Sequence, residues 1–163
     1  MKDQFLAARL AATLFAGSGV NAEACTRVVY KGKSKTILTA RSRDWKEDSR
    51  SNLWIFPRGM KRNGEISRNP LRWISQYGSV ITSAYDICST DGMNEAGLTA
   101  NLLWLSESEY PKFDGKKPGL SVAAWVQYIL DNFATVAEAV ADMRTGQYEV
   151  ISDMMPDGSR MAT

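Results

Sequence analysis

The chain has 163 residues, a formal net charge of +2 and no histidine. That length indicates a single domain with room for a hydrophobic core, and so small a charge gives no reason to expect nucleic acid as a partner. Without histidine, neither a Ser-His-Asp or Cys-His catalytic pair nor an imidazole metal site can form, so we expect no metal and no cofactor.

Residues 1–24 have the features of a secretory signal peptide. An apolar centre is followed by Ala22 and Ala24, the small residues that a signal peptidase requires at the third and first positions before its cut. Arg9 interrupts the apolar centre, so the alternative is an N-terminal amphipathic helix of the folded domain. No apolar run reaches the roughly 18 residues of a transmembrane helix. We therefore predict a signal peptide over 1–24, a domain over 25–163 and a periplasmic or secreted protein.

Short runs rich in β-branched residues follow, and turn residues separate them. The first two runs enclose a polar segment that contains Gly32, which predicts a β-hairpin. A second hairpin is predicted to turn at Tyr77 and Gly78. The strands expected in this part of the chain cover residues 26–30, 36–41, 52–56, 72–76, 79–85 and 97–104.

The hydrophobic period changes to three and four after the predicted loop at 106–118. Ser121 is the expected N-cap of one helix, and Thr135 with Glu138 has the spacing of a capping box that opens a second helix. A final strand is expected at 148–151, with its partner strand beyond the last residue. Strands followed by paired helices indicate an α+β fold whose sheet carries helices on one face.

The two cysteines are candidates for different roles. A cut after Ala24 would make Cys25 the first residue, with a thiol and a free α-amine on one carbon. The thiolate is a nucleophile, and the amine can take the thiol proton, as histidine does in other hydrolases. A disulfide to Cys88 is the default alternative in an exported protein. We expect instead that Cys88 is a small buried residue.

Polar residues elsewhere in the predicted strands are candidates for the same site. Arg41 ends the strand that should pair with the Cys25 strand, where its guanidinium would favour a thiolate, and Asp44 would orient the α-ammonium. Asn101, in an apolar strand, can donate to an oxyanion. The alternatives are solvated charges at a strand end and a structural amide. Arg43 is expected to face solvent, and Asn94 to serve in a turn.

Five short motifs lie in an order and spacing that together resemble the choloylglycine hydrolase family, which contains bile salt hydrolases and penicillin V acylases. The motifs cover residues 25–27, 41–45, 52–57, 94–98 and 100–101. The resemblance implies the αββα sandwich of N-terminal-nucleophile hydrolases, with antiparallel sheets and a helical pair. It also implies cleavage of a linear amide through an acyl-thioester on Cys25. Arg41 and Asp44 would then lie beside the nucleophile, and Asn101 at the oxyanion position.

Members of that family are roughly double this length. Their second half carries another oxyanion asparagine and a further active-site arginine, so the resemblance implies an N-terminal portion with an incomplete sandwich. It also suggests tetramers for complete proteins. Trp45, Trp104, Tyr110 and Phe113 are candidates to line an apolar acyl pocket. Alternatively, all four anchor the core or a loop.

Two other functions stay open on the sequence alone. A lipid-anchored binding protein would be acylated on Cys25 after export, although Ala22 stands where lipoprotein signals prefer leucine. A non-catalytic remnant of the amidase would retain only part of the fold. For the enzyme, the expected partner is a small-molecule amide such as a conjugated bile salt or penicillin V.

Overall fold

The computed structural model describes residues 25–45, 47–103, 105 and 107–152, which form short strands and two helices. The predicted signal peptide, Trp104 and the end of the chain after residue 152 lie outside these ranges. Within them, no helix has both the length and the hydrophobicity that a membrane span requires. The strands are β1 (Arg27–Lys31), β2 (Ile37–Arg41), β3 (Leu53–Phe56), β4 (Lys61–Asn63), β5 (Arg72–Ile74), β6 (Ser79–Ala84), β7 (Cys88–Asn94), β8 (Thr99–Asn101), β9 (Gly119–Ser121) and β10 (Glu149–Ile151), and the helices are α1 (Val122–Asn132) and α2 (Val136–Arg144).

β1 and β2 form the first predicted hairpin, which is confirmed. The strands pair antiparallel, with Arg27 opposite Arg41. A short 3-10 segment, Lys33–Lys35, lies in the turn between them. Pairing continues past the end of the strands, because the N–H of Ser42 donates to the carbonyl oxygen of Thr26 at 3.0 Å. The hairpin therefore fixes the chain next to Thr26 against the end of β2.

A four-stranded antiparallel sheet, in the order β3–β6–β7–β8, forms the centre of the fold. α1 packs against one face, where Ile81 and Leu130 are no more than 2% exposed. Gly92 in β7 permits this approach, because a Cβ there would lie 2.6 Å from Leu130 Cδ1 and 2.7 Å from Ile81 Cγ2. The α+β class, with antiparallel sheets and a helical pair, is therefore confirmed.

The opposite face of this sheet is largely open among the described residues. Leu53 and Ile55 of β3 are 72% and 76% exposed there. Cross-strand pairing arranges the face as two rows, Leu53–Thr82–Asp91–Asn101 and Ile55–Val80–Met93–Thr99. An apolar sheet face of this kind normally packs against another layer of the fold.

The predicted hairpin between the strands at 72–76 and 79–85 is wrong. β5 pairs with β4, a strand that the sequence analysis missed, while β6 pairs with β3 and β7. The connecting segment is bound to α1, since the N–H groups of Gln76 and Tyr77 both donate to the carbonyl oxygen of Asp131, at 2.8 and 3.1 Å. These contacts lead the chain from one sheet to the next instead of folding it back.

β6 turns instead into β7 through the three residues Tyr85, Asp86 and Ile87. Tyr85 and Asp86 have positive φ values, 54° and 57°, as the two central residues of a type I′ turn require. Neither is a glycine, so the sequence lacks the residue that usually marks such a turn. β7 extends to Asn94, so the turn predicted to contain that residue begins at the last residue of the strand.

Asn94 is confirmed in its turn role and also binds the helix. Its Oδ1 accepts from the N–H groups of Ala96 and Leu98, at 3.1 and 3.0 Å. Its Nδ2 donates to the carbonyl oxygens of Leu130 and Phe133, at 2.8 and 2.7 Å. This one buried amide therefore joins the β7–β8 turn to the end of α1.

Both helices begin at their predicted caps. Ser121 Oγ accepts from the N–H of Ala123 at 3.0 Å, and Thr135 with Glu138 forms the predicted capping box. β10 follows α2 and pairs parallel with β9, and the later partner strand that was expected lies outside the described residues. β9 leads directly into α1, so the helical pair returns the chain alongside the strand from which it started.

A buried ionic cluster joins α1 to the β4–β5 hairpin. Asp131 is fully buried; its Oδ2 accepts from Trp73 Nε1 at 2.7 Å and lies 3.1 Å from Arg62 Nε. Its Oδ1 accepts from Gln127 Nε2 at 2.7 Å. Burial raises the pKa of Asp131 above its usual value, and the hydrogen bonds and Arg62 counteract only part of that effect.

Candidate active site

The β1–β2 hairpin brings Cys25 and Arg41 together. Because Arg41 pairs with Arg27, the residue two positions before Arg27 lies beside the Arg41 side chain. Arg41 Nη2 is 3.7 Å from Cys25 Sγ, within the range of an N–H···S hydrogen bond. The two cysteines form no disulfide with each other, and Cys88 is buried as predicted. The structure thus juxtaposes the thiol and the guanidinium, and their catalytic roles stay predictions.

Arg41 is fixed by two further groups. Its Nη1 donates to the carbonyl oxygen of Leu102 and lies 3.2 Å from Asp91 Oδ1. The side chain is only 8% exposed, and a guanidinium so buried needs such partners because an uncompensated buried charge is costly. Arg41 is therefore a buried cation with one nitrogen held by acceptors and the other directed at the thiol.

Asn101 joins the same cluster through Asp91. Its Nδ2 donates to Asp91 Oδ1 at 2.9 Å. Since a carboxylate only accepts, this bond decides which way the amide points, and the second N–H of Nδ2 can serve another acceptor. Asn101 Oδ1 is buried without a partner in the described part of the chain. The second N–H of Nδ2 is therefore the donor that a bound oxyanion would use, and that role stays a prediction.

Asp44 reaches the Cys25 strand through Ser42. Asp44 Oδ2 accepts from Ser42 Oγ at 2.8 Å, and Ser42 Oγ accepts from the N–H of Thr26 at 3.2 Å. A carboxylate is thus connected to the peptide group adjacent to Cys25. The predicted contact with an α-ammonium requires a chain that begins at Cys25 and is a proposal below.

Arg43 does not face solvent, contrary to the expectation from strand alternation. Its Nη1 donates to Thr90 Oγ1 at 3.0 Å, and its Nη2 to Ser49 Oγ at 2.6 Å. Positions 41 and 43 are two apart, and alternation places such residues on the same side of an extended segment, so the expectation was mistaken. Arg43 instead binds the segment that carries Asp44 to β7.

The aromatic residues predicted as pocket walls have other contacts here. Trp45 packs against the buried cluster that contains Cys88, and its Nε1 donates to the hydroxyl of Tyr85 at 3.0 Å. Tyr110 packs against the same cluster. Trp104 lies outside the described residues. These contacts fit the alternative of core and loop anchors, and substrate contact by Trp45 or Trp104 stays a prediction.

A cavity of 590 Å³ lies between β2 and the open face of the central sheet. Its volume is in the range of small-molecule binding sites. Its lining includes the charged and polar side chains of Arg41, Arg43, Asp91 and Asn101 and the apolar side chains of Leu53, Val80 and Met93.

Asp91 is the member of this cluster that the sequence analysis missed. Followed by Gly92, it has the composition of a turn, but both residues lie inside β7. A signal was available, because Asp91 and Asn101 are equally far from Ala96 at the centre of the turn. A tight hairpin around Ala96 therefore places them opposite each other, as observed.

Comparison with known proteins identifies the class of protein that this fold and cluster belong to. Residues 25–156 match the model of the linear amide C-N hydrolases, choloylglycine hydrolase family. The match covers most of the chain, so the chain belongs to this family.

Individual relatives narrow the comparison. The chain is 51% identical to a penicillin V acylase of Pectobacterium atrosepticum, over 90% of this chain and 41% of that protein. It matches the structure of penicillin V acylase from Agrobacterium tumefaciens with a TM-score of 0.75 and 50% identity, over 83% of this chain and 48% of the other. A conjugated bile acid hydrolase mutant from Clostridium perfringens shares the fold, with a TM-score of 0.62 and 22% identity over 86% and 42% of the two chains. The chain thus spans less than half the length of these relatives.

Proposed function

We propose that the protein hydrolyses a linear amide through an acyl-thioester on Cys25. The observation that carries the proposal is the 3.7 Å contact between Arg41 Nη2 and Cys25 Sγ, in a chain of an amide hydrolase family. The thiolate is the nucleophilic form of cysteine, and Arg41 is the cation that lies beside this sulfur.

The proposed mechanism begins with removal of residues 1–24, which gives Cys25 a free α-amine. That amine has an ordinary pKa near 8, so at neutral pH it can accept the thiol proton. The sulfur then attacks the substrate carbonyl carbon, and the second N–H of Asn101 donates to the resulting oxyanion. The carbon–nitrogen bond breaks as the ammonium returns its proton to the leaving amine. Water hydrolyses the thioester, releasing the acid and restoring the thiol.

Asp44 has a proposed role in holding the α-ammonium. The chain of hydrogen bonds from Asp44 through Ser42 to Thr26 supports this role, because it keeps a carboxylate close to the peptide that follows Cys25. An anion near the amine stabilises its protonated form, which exists while the sulfur attacks.

We favour an amide of the penicillin V type over a conjugated bile salt. The two relatives near 50% identity are both named penicillin V acylase, whereas the bile acid hydrolase shares only the fold at 22% identity. The cavity beside Arg41 supports a substrate with an apolar part, since Leu53, Val80 and Met93 are part of its lining. Further contacts from Trp45 and Trp104 are part of this proposal.

We also propose that the protein is exported and acts in the periplasm or outside the cell. The small residues Ala22 and Ala24 support a cleavage site, and the family match begins at Cys25. Intact mass and N-terminal sequencing of the mature protein test this step. A start at Cys25 with an unmodified mass is expected, whereas added acyl chains would indicate the lipid-anchored alternative.

The catalytic proposal is tested by Cys25→Ser, with Cys88→Ser as the matched control because Cys88 is the other cysteine of the chain and is buried. Release of the acid from penicillin V and from a glycine-conjugated bile acid is measured with the native protein. We expect Cys25→Ser to lose more than about 10³-fold in kcat/KM, as removal of a covalent nucleophile does in serine hydrolases. Cys88→Ser should keep most of the activity. Normal turnover by Cys25→Ser would refute the proposal.

A further inference from the structure

We propose that Asp91 is a positioning residue that sets the guanidinium of Arg41 against the thiol of Cys25 and orients the amide of Asn101. The inference rests on the proposed function, since it concerns the same site. It assigns to this site a carboxylate that neither the family motifs nor the strand pattern pointed to.

The sheet register places Asp91 between its two partners. In the hairpin of β7 and β8, Asp91 lies opposite Asn101, and Asn101 Nδ2 donates to Asp91 Oδ1 at 2.9 Å. The β1–β2 hairpin brings Arg41 over the same row, where Nη1 lies 3.2 Å from the same oxygen. One carboxylate oxygen therefore joins residues from three strands.

Burial makes this contact consequential for Arg41. The side chains of Arg41 and Asp91 are 8% and 21% exposed, so little water can replace the carboxylate if it is removed. The Leu102 carbonyl oxygen is a neutral acceptor for Nη1 and does not compensate the charge. Without Asp91, we expect the guanidinium to leave the thiol for a better hydrated position.

Asp91 also acts on the charge at the thiol, and this effect has the opposite sign. Its negative charge offsets part of the positive potential that Arg41 exerts on Cys25. Two other charged side chains follow β2, and the substitutions below leave both in place. Arg43 donates to Thr90 and Ser49, and Asp44 accepts from Ser42. Two substitutions of Asp91 can therefore distinguish its effect on the position of Arg41 from its effect on the charge near the thiol.

Asp91→Asn removes the charge but keeps an oxygen that can accept hydrogen bonds from Arg41 and Asn101. Asp91→Leu removes the charge and the acceptor oxygen. The probe is iodoacetamide, and the alkylation rate of Cys25 is followed across pH by peptide mass spectrometry, which distinguishes Cys25 from Cys88. For Asp91→Asn we expect alkylation near neutral pH to become about two- to tenfold faster, with the profile moved to lower pH. For Asp91→Leu we expect slower alkylation, a profile moved to higher pH, and a loss of about 10²-fold in kcat for amide hydrolysis.

Asp114→Asn serves as the matched control, because it removes the same charge from an exposed loop carboxylate that pairs with Lys116. It should leave the profile unchanged. Shifts of the two Asp91 profiles in the same direction, or no shift in either, would overturn the proposal. Alkylation does not require turnover, so the result stands apart from the test of Cys25 as the nucleophile. Suppose that Cys25→Ser stays active while the alkylation profiles of the two Asp91 variants shift in opposite directions. The proposed function then fails, but the proposal that Asp91 positions Arg41 stands.

Discussion

Replacing Asp131 by alanine should destabilise the protein severely. The substitution takes the acceptor from two neutral donors, Trp73 Nε1 and Gln127 Nε2, at about 1–3 kcal/mol each. It also removes the ionic partner of Arg62, and breaking a buried pair from one side costs about 3–5 kcal/mol. These costs overlap, and relief from desolvating Asp131 offsets part of them. We expect a net loss of about 3–5 kcal/mol in the free energy of unfolding.

The measurement is urea unfolding followed by far-UV circular dichroism, which does not depend on the environment of Trp73. A loss below about 1 kcal/mol for Asp131→Ala would refute the reasoning, because the cluster would then contribute little more than an exposed ion pair. Arg62→Met combined with Asp131→Leu tests the origin of the cost. The double variant should be more stable than Asp131→Ala, since no unpaired charge remains.

The matched variant Asp131→Asn adds a pH dependence with a defined sign. Burial raises the pKa of Asp131, so the folded state favours the protonated acid more than the unfolded state does. The stability from this group is therefore complete below the ordinary pKa of about 3.9 and declines as the pH rises through the folded value. The deficit of Asp131→Asn relative to the wild type should narrow over that window. A deficit that widens with pH would mean that the donors and Arg62 outweigh desolvation.

Three further outcomes are expected. Gly92→Ala should cost about 1–3 kcal/mol in urea unfolding, because the added Cβ would overlap Leu130 and Ile81, and an unchanged midpoint would show that α1 can shift away from β7. Thr135→Ala should cost about 0.5–2 kcal/mol by removing the N-cap of α2, and a neutral result would mean that the capping box does not support that helix. Burial and Asp142 raise the pKa of Tyr128 and of Tyr148, so stability should fall as the pH rises above about 10, the ordinary tyrosine value. Ionisation of both phenols in the folded protein at that pH, seen by ultraviolet absorbance, would contradict this.

The local features of the fold were readable from the sequence because neighbouring residues determine them. Ser121 and Thr135 cap their helices through residues two or three positions away, and the β1–β2 hairpin follows from two β-branched runs around a polar turn. The hairpin also brings the segment before Arg27 close to Arg41, and the Arg41 side chain contacts Cys25 from there.

The sequence by itself therefore determined the α+β class, the helix ends, the first hairpin and the residues that face each other across it. The tertiary structure decided which strands pair across long separations, such as β3 with β6 and β9 with β10, because the contacts that fix them come from α1 and from distant backbone groups. It also decided that Arg43 turns inward and that Asp91 joins Arg41 to Asn101. Hydrogen bonds between strands far apart in the chain set those positions, and their partners cannot be recognised from local composition.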